Sequence, residues 1–398
     1  MVTSLTPLED ARAIVLAHAR PLAPEPVALT DALDRVLAEE IRAGADVPGY
    51  DNSAMDGYAL HAADSAPGAR LRLRGESRAG APALEPLAAG EACAISTGAA
   101  IPPGADAVIR VEDTRREGEQ VALSVAVPAG NNVRYAGEDI RAGELVLSPG
   151  VRLGPAELGV LAEIGRTRIS AGPRPRVAVL TTGDELVPVG QPLPFGGVHN
   201  SGGVVIPALV AQAGGEVVSL AHARDDPVEV RERLGAALAA DVVVICGGMS
   251  VGAHDHVGAM LDSLGVERHF AGVALKPGRP TVFASDGATL VFGLPGNPVS
   301  SLVTFLLFAR PALLALAGER ADARRAVASL AEDVAQEPGR THAVRARLEL
   351  RDDGWWAWTT GPQSSHILTS MLAADAFALL PAGDGVLPRG TQVAIELL

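Results

Sequence analysis

Three short loops carry the residue types from which an anion site can be built. The apolar run Val242 to Cys246 ends in Gly247-Gly248-Met249-Ser250-Val251-Gly252, and Asp255 opens the helical pattern that follows. Glycines let backbone N–H groups approach an oxyanion closely, and a helix N-terminus adds partial positive charge. Gly247, Gly248, Ser250 and Gly252 are therefore candidate phosphate ligands, although a glycine turn that merely packs explains the segment equally well. A nucleotide loop with Lys then Ser or Thr after its last glycine is excluded, because Ala253-His254 stands there, and no Gly-x-Gly-x-x-Gly follows a strand. Lys276-Pro277-Gly278-Arg279-Pro280 sets two cations three residues apart on a chain stiffened by prolines. In so acidic a protein that arrangement suits a fixed dianion better than a solvated turn. Leu294-Pro295-Gly296-Asn297-Pro298 follows the apolar stretch 289–293 and precedes a helix from Val299, so Asn297 reads as a helix cap while Pro295 and its neighbours can line a site.

Carboxylates recur at comparable places: Asp184 and Glu185, Asp225 and Asp226, and Asp255. Beside a bound phosphate such groups supply the hard oxygen ligands that Mg²⁺ requires. Asp226, before Pro227, reads as a helix cap, which leaves Asp225 and Asp255 as the metal candidates. His254 and His256 lack further ligands at zinc-like spacing and read as solvated. Trp355, Trp356 and Trp358 read as packing on a strand rather than a base-stacking surface.

Elements must position these loops, and the composition bounds what they can be. At roughly 150 residues per domain, 398 residues make two to three domains. The formal charge of −14 argues against general nucleic-acid binding, so an anionic ligand must meet a local basic pocket. Hydrophobic residues at 48% exclude a disordered chain. The segment Met1 to Asp10 does not resemble a secretory signal, and the apolar window from Leu302 to Ala317 is interrupted by Arg310 and Pro311, so it reads as a core helix rather than a membrane span. Cys93 and Cys246 form no disulfide or zinc pattern, which fits a reducing cytoplasm.

Thr6-Pro7-Leu8-Glu9 reads as a capping box opening a first helix, and a second helical pattern runs from about Thr30 to Ile41. From Val47 to Leu147 short apolar runs alternate with Gly and Pro clusters, which predicts a small β domain. The flanks 1–43 and 141–172 bracket it, so it reads as an insertion, 44–140, into an elongated helical domain. From Arg176 strands alternate with helices, the signature of a doubly wound α/β domain with a parallel sheet, 173–321, whose ligands bind beyond the strands' carboxyl ends. The tail, 322–398, is β, with a hairpin across Asp352-Asp353-Gly354.

Taken together, Asp51-Asn52-Ser53-Ala54-Met55-Asp56-Gly57-Tyr58-Ala59, Gly137-Glu138-Asp139-Ile140, Thr182-Gly183-Asp184-Glu185-Leu186, the Gly247–Gly252 loop with Asp255, and Leu294 to Pro298 resemble the molybdopterin molybdenumtransferase (MoeA) family, related to the C-terminal domain of gephyrin. The resemblance covers essentially the whole chain. It implies the multidomain α/β plus β layout above, with a MogA-like α/β domain, a C-terminal β-barrel-like domain, and a homodimer in which the Asp56 segment of one subunit approaches the α/β cleft of the other. It implies a Mg²⁺-dependent transferase that inserts molybdate into adenylylated molybdopterin and releases AMP, with handover from a MogA-like adenylyltransferase. By the same resemblance Asp56, Asp139 and Glu185 join Asp225 and Asp255 as functional carboxylates, and Lys276, Arg345, Ser365 and Ser300 form the molybdate pocket. Arg279 stands where the family usually has Lys, and Gly272 where many relatives have another Lys. A guanidinium is not equivalent to an ammonium point charge. The rival readings are a molybdopterin adenylyltransferase and a non-catalytic gephyrin-like scaffold.

Overall fold

The computed structural model describes residues 5–248, 256–319 and 325–398. Its central sheet has six strands in the order Glu216–Ala223, Arg176–Thr182, Val242–Cys246, Leu290–Leu294, Val282–Ser285, Glu267–Ala271. The first four are parallel and Val282–Ser285 runs antiparallel to both of its neighbours, so the sheet is mixed where alternation predicted a parallel one. The reason lies in the connections: Glu267–Ala271, Val282–Ser285 and Leu290–Leu294 follow one another without an intervening helix, and such strands pair antiparallel. Strand alternation buries both faces. Val177, Val179, Val242 and Val244 face one core with helix Gly202–Gln212, while Ala178, Leu180, Val243 and Ile245 face a second core under Pro227–Ala237 and His256–Ser263.

Residues Pro298–Leu316 form one helix with a π turn at Phe305–Ala309, just before Pro311, whose ring denies the helix a donor. It is long and apolar enough to cross a membrane, yet 94% of its apolar window is buried in the protein interior, as expected of a core helix. The first helix, Leu8–His18, packs Leu8, Ala11 and Val15 into the same core. The expected capping box does not form: Thr6 instead pairs its backbone with Gly272 and Ala274. Glu396 then ties three elements, accepting from Arg12 and Arg310 at 3.0 Å each.

Glu25–Ala28 pairs with Arg168–Ala171, and Ile41–Arg42 with Leu145–Leu147, so the two flanks close on each other around Val27, Leu37, Ile41, Leu153, Leu161 and Ile169. The helix expected from Thr30 to Ile41 is absent. Only a 3-10 turn at Leu29–Asp31 forms, Asp34 is left-handed, and Val36 and Leu37 are taken into β-bridges with Arg152 and Ala171. Tertiary pairing here overrides a helical period. Between the flanks lies a six-stranded sheet in the order Ala107–Arg110, Gly57–Leu60, Glu91–Ile95, Arg70–Ser77, Gln120–Leu123, Thr114–Glu117.

At the C-terminus, Thr341–Arg351, Gly354–Thr359, Arg325–Leu330, Gln392–Leu397 and Ala376–Leu380 close into a five-stranded barrel, because the last pairs back onto the first. The hairpin turns at Asp352-Asp353 with Gly354 at φ 118°. The three tryptophans do not supply its core. Ala357 points inward, while Trp355 is exposed and Arg351 stacks 4.7 Å over Trp356. Leu275–Lys276, from the α/β domain, adds a short parallel strand to Thr341–Arg351, and this pairing seats the barrel on the doubly wound domain.

Candidate active site

The sheet order reverses between Arg176–Thr182 and Val242–Cys246, and beyond such a switch point the strand ends leave a crevice for a ligand. Three loops meet there. Gly247, at φ 97°, donates to Leu294 O at 3.1 Å, and a Cβ on it would lie 2.5 Å from Thr182 O. A Cβ on Gly296 would lie 3.6 Å from Gly247 Cα. The 2.5 Å clash leaves room only for glycine at position 247, whose backbone therefore packs directly against Thr182, while Gly296 stands at ordinary contact distance. The hydroxyl of Thr182, the first residue of the Thr182 to Leu186 motif, is buried and has no hydrogen-bond partner among the described residues. Met249 to Asp255, and with them Ser250, Gly252 and Asp255, lie outside the described residues.

Pro295 is buried beneath the third loop. Asn297 departs from expectation. Its side chain makes no cap bond; Nδ2 donates instead to Ser365 Oγ at 3.1 Å, and Ser365 O accepts from Val299 N–H at 3.3 Å. A cap was displaced by a partner 68 residues away. Ser365 lies in the segment that also holds Arg345. That guanidinium is fully buried, donating from Nε to Ser370 Oγ at 3.2 Å and from Nη2 to the carbonyls of Pro362 and Ser364 at 3.3 Å. Among the described residues Nη1 has no partner and no carboxylate pairs with the charge, and burial holds the group below the usual guanidinium range. Ser300 is buried on the helix that Asn297 precedes, its carbonyl accepting from Thr304 Oγ1 at 2.8 Å.

Lys276 reaches this region from the other side. The register pairs it with His342 rather than with Arg345, and its ammonium is held by Glu337 at 2.6 Å. Glu337 also pairs with Arg340, and Lys276 first, then Arg340, hold its carboxyl below the usual range. His342 is 7% exposed with both ring nitrogens unpartnered. Burial first, then the charge of Lys276, push it down to about 4, while Glu337 opposes the shift and Arg345 adds to it. The loop of Lys276 turns through Gly278 at φ 126°, where a Cβ would strike Thr304 at 2.5 Å, so the loop lies against the helix that carries Ser300. Arg279 is exposed. Gly272, at φ 112°, accepts from Thr6 N–H, a backbone that favours glycine over the family's lysine.

The carboxylates divide. Asp225 and Asp184 share the strand-end crevice, since Asp184 Oδ1 accepts from Asp225 N–H at 3.2 Å, and Glu185 folds back over Gly183. Asp226 caps the next helix through Val228 and Glu229, as expected. Asp56 and Asp139 belong to other elements within the chain. Asp56 accepts from Thr97 N–H at 2.7 Å and Thr97 Oγ1 at 3.0 Å, which holds its carboxyl low, and Asp139 is exposed beside a backbone bond to Val47 O. No group of three or more metal-binding side chains occurs among the described residues.

A closed barrel seated on a doubly wound sheet, with the strand-end loop at Asn297 bonded to Ser365 of the barrel domain, defines a multidomain α/β plus β protein whose ligand crevice lies at the strands' carboxyl ends. The sequence matches the MoeA N-terminal region (domain I and II) over residues 6–165, the family described as "Probable molybdopterin binding domain" over 178–315, and the MoeA C-terminal region (domain IV) over 327–398. It is 37% identical over 395 residues to a molybdopterin molybdenumtransferase of Synechococcus elongatus, covering 95% of each chain, and 34% identical to that of Haemophilus influenzae, covering 98% of each. A crystal structure of a molybdopterin biosynthesis MoeA protein from Pyrococcus horikosii superposes with a TM-score of 0.82 at 33% identity over 99% of both chains. The chain belongs to the molybdopterin molybdenumtransferase (MoeA) family.

Proposed function

We propose that this chain inserts molybdate into adenylylated molybdopterin and releases AMP, a transferase step of molybdenum cofactor biosynthesis in the cytoplasm. The observation that carries this reading is Arg345: a guanidinium buried without a carboxylate, one of its nitrogens unpartnered, is costly unless a ligand supplies the anion. Tetrahedral molybdate fits that need; Ser365 adjoins Ser364, whose carbonyl holds Arg345, and the family resemblance adds Lys276, Arg279 and Ser300 to the pocket. On the nucleotide side, the Thr182 hydroxyl, without a partner among the described residues, is a donor that suits a phosphate oxygen, and Gly247 and Gly248 keep the turn beside it free of side chains.

Asp225 and its neighbour Asp184 offer hard oxygen donors without nitrogen or sulfur, the set that Mg²⁺ takes together with substrate phosphate, and Asp255 joins them by sequence. When bound there, the ion supplies positive charge to the pyrophosphate, so no protein nucleophile is required. The chain's own contribution is orientation: cations hold the oxyanion, and the glycine loops hold the phosphates still while the phosphate bond breaks. Asp56 and Asp139 lie on other modules of the chain, which supports a homodimer in which a partner's Asp56 segment completes the crevice. A MogA-like adenylyltransferase would hand over the substrate.

Single-turnover mixing with adenylylated molybdopterin tests the reading. AMP release that requires molybdate and Mg²⁺ is the expected result. Adenylylation of free molybdopterin with ATP would instead make the protein an adenylyltransferase, and failure to retain molybdate would make it a scaffold.

A further inference from the structure

Glu337 holds one of the three donors on the Lys276 ammonium and so competes with an incoming oxyanion for its charge. The carboxylate sits 2.6 Å from the ammonium, with side-chain exposures of 39% for Lys276 and 18% for Glu337. Glu337 is also paired with Arg340, three residues on in the same turn, so it can leave Lys276 and keep a counter-charge. Its backbone does not need to move. Glu337 O accepts from Gly383 N–H at 3.2 Å and from Arg340 N–H at 3.4 Å, which anchors the turn at the mouth of the barrel while the side chain swings. Among the described residues Glu337 is the one carboxylate paired with Lys276: His342, beside it in register, is buried and uncharged, and Arg345 is a second cation.

We propose that Glu337 is a positioning residue that occupies Lys276 in the empty protein and passes to Arg340 when the oxyanion arrives, so that Arg340 sets how readily Lys276 becomes available. This rests on the reading of Lys276 as part of the molybdate pocket. An internal competitor lowers apparent affinity by the fraction of time its target is free. Removing the competitor and removing its fallback partner must then act in opposite directions. Glu337→Gln frees the ammonium and tightens molybdate binding by roughly two- to five-fold, the span of one partly exposed ion pair. Arg340→Gln leaves Glu337 only Lys276 to pair with and weakens binding by a similar factor. Because Arg340 acts through Glu337, the double variant binds as Glu337→Gln does.

The experiment is equilibrium dialysis of the full-length protein against sodium molybdate, for wild type, Glu337→Gln, Arg340→Gln, the double variant and Arg345→Met, with the KM for molybdate and kcat measured on the same set. The expected pattern is opposite shifts in affinity and KM at constant kcat, with the Arg340 effect abolished in the double variant. Both single variants weakening binding, or neither changing it, overturns the latch while loss of binding in Arg345→Met leaves the pocket intact. No binding by wild type overturns both. Should Glu337→Gln not fold, Arg340→Gln decides alone: unchanged or tighter binding at an unchanged melting temperature refutes the proposal.

Discussion

Replacing Arg345 by Met separates the two things a buried arginine can be. Its three hydrogen bonds, one from Nε and two from Nη2, run 3.2–3.3 Å to a hydroxyl and two carbonyls, and its third nitrogen, Nη1, has no partner among the described residues. A bond to a charged group contributes about 1.5–3 kcal/mol at good geometry and less at these lengths, so the three together offset a desolvation penalty of several kcal/mol without exceeding it by much. Methionine fills similar space with no charge to desolvate. The expected result is that Arg345→Met unfolds within about 1 kcal/mol of wild type, or is more stable. Ligand linkage gives the second readout: molybdate at a hundred times its Kd adds about 2.7 kcal/mol to a protein that binds it, at least a few degrees of melting temperature. Scanning fluorimetry with and without molybdate should show that shift in wild type and none in the variant. A variant that loses more than about 3 kcal/mol without ligand, yet still shifts with molybdate, would refute the reasoning and make Arg345 a structural residue.

Three further outcomes follow from the same geometry. Asp225→Asn should leave melting unchanged, because the carboxylate is exposed, and abolish Mg²⁺-dependent AMP release; retained release at saturating Mg²⁺ would remove Asp225 from the metal site. His342 is buried and held at about 4, below its ordinary value, so the unfolded chain binds the extra proton between that pH and 6.5. Stability is therefore full above about pH 6.5 and falls by up to about 3 kcal/mol as the pH drops toward 4, and His342→Leu should flatten that dependence in denaturant titrations at pH 7, 5.5 and 4.5. Glu396→Gln leaves Arg12 and Arg310 buried with no carboxylate between them and should cost about 3–5 kcal/mol; a chemical-denaturation midpoint equal to wild type would show that the cluster is incidental.

How much of this was legible in the sequence depends on how far apart the partners stand. The crevice was readable because strand-helix alternation fixes where carboxyl ends lie, and Gly247, Pro295 and Asp225 each directly follow a strand or sit a residue or two beyond it. Asp226, a cap defined by residues two and three positions on, was readable for the same reason. Asn297 was not: its local environment is that of a cap, and only the approach of Ser365 from the barrel domain takes its amide away. The helix expected at 30–41 failed similarly, since Val36, Leu37 and Ile41 have helical spacing but are buried by strands from beyond residue 145. Glu337 and His342 carried no signal, being ordinary residues whose weight comes from what is packed against them.

The distant contacts share one origin. Arg345, Ser365, Glu337 and His342 all come from the barrel or its loops, whereas Gly247, Asn297, Ser300 and Lys276 come from the doubly wound domain, and the two sets meet because Leu275–Lys276 pairs with Thr341–Arg351. The strand that seats the barrel thus ends in the lysine of the pocket, and the strand it joins carries both the unpartnered histidine and the unpartnered arginine. An isolated α/β domain of this kind would keep the glycine cradle and the acidic residues but would lack the buried guanidinium and the carboxylate that restrains Lys276. Domain docking is therefore what brings the buried guanidinium and the Lys276–Glu337 pair to the strand-end crevice, on which the proposed second, tetrahedral anion depends.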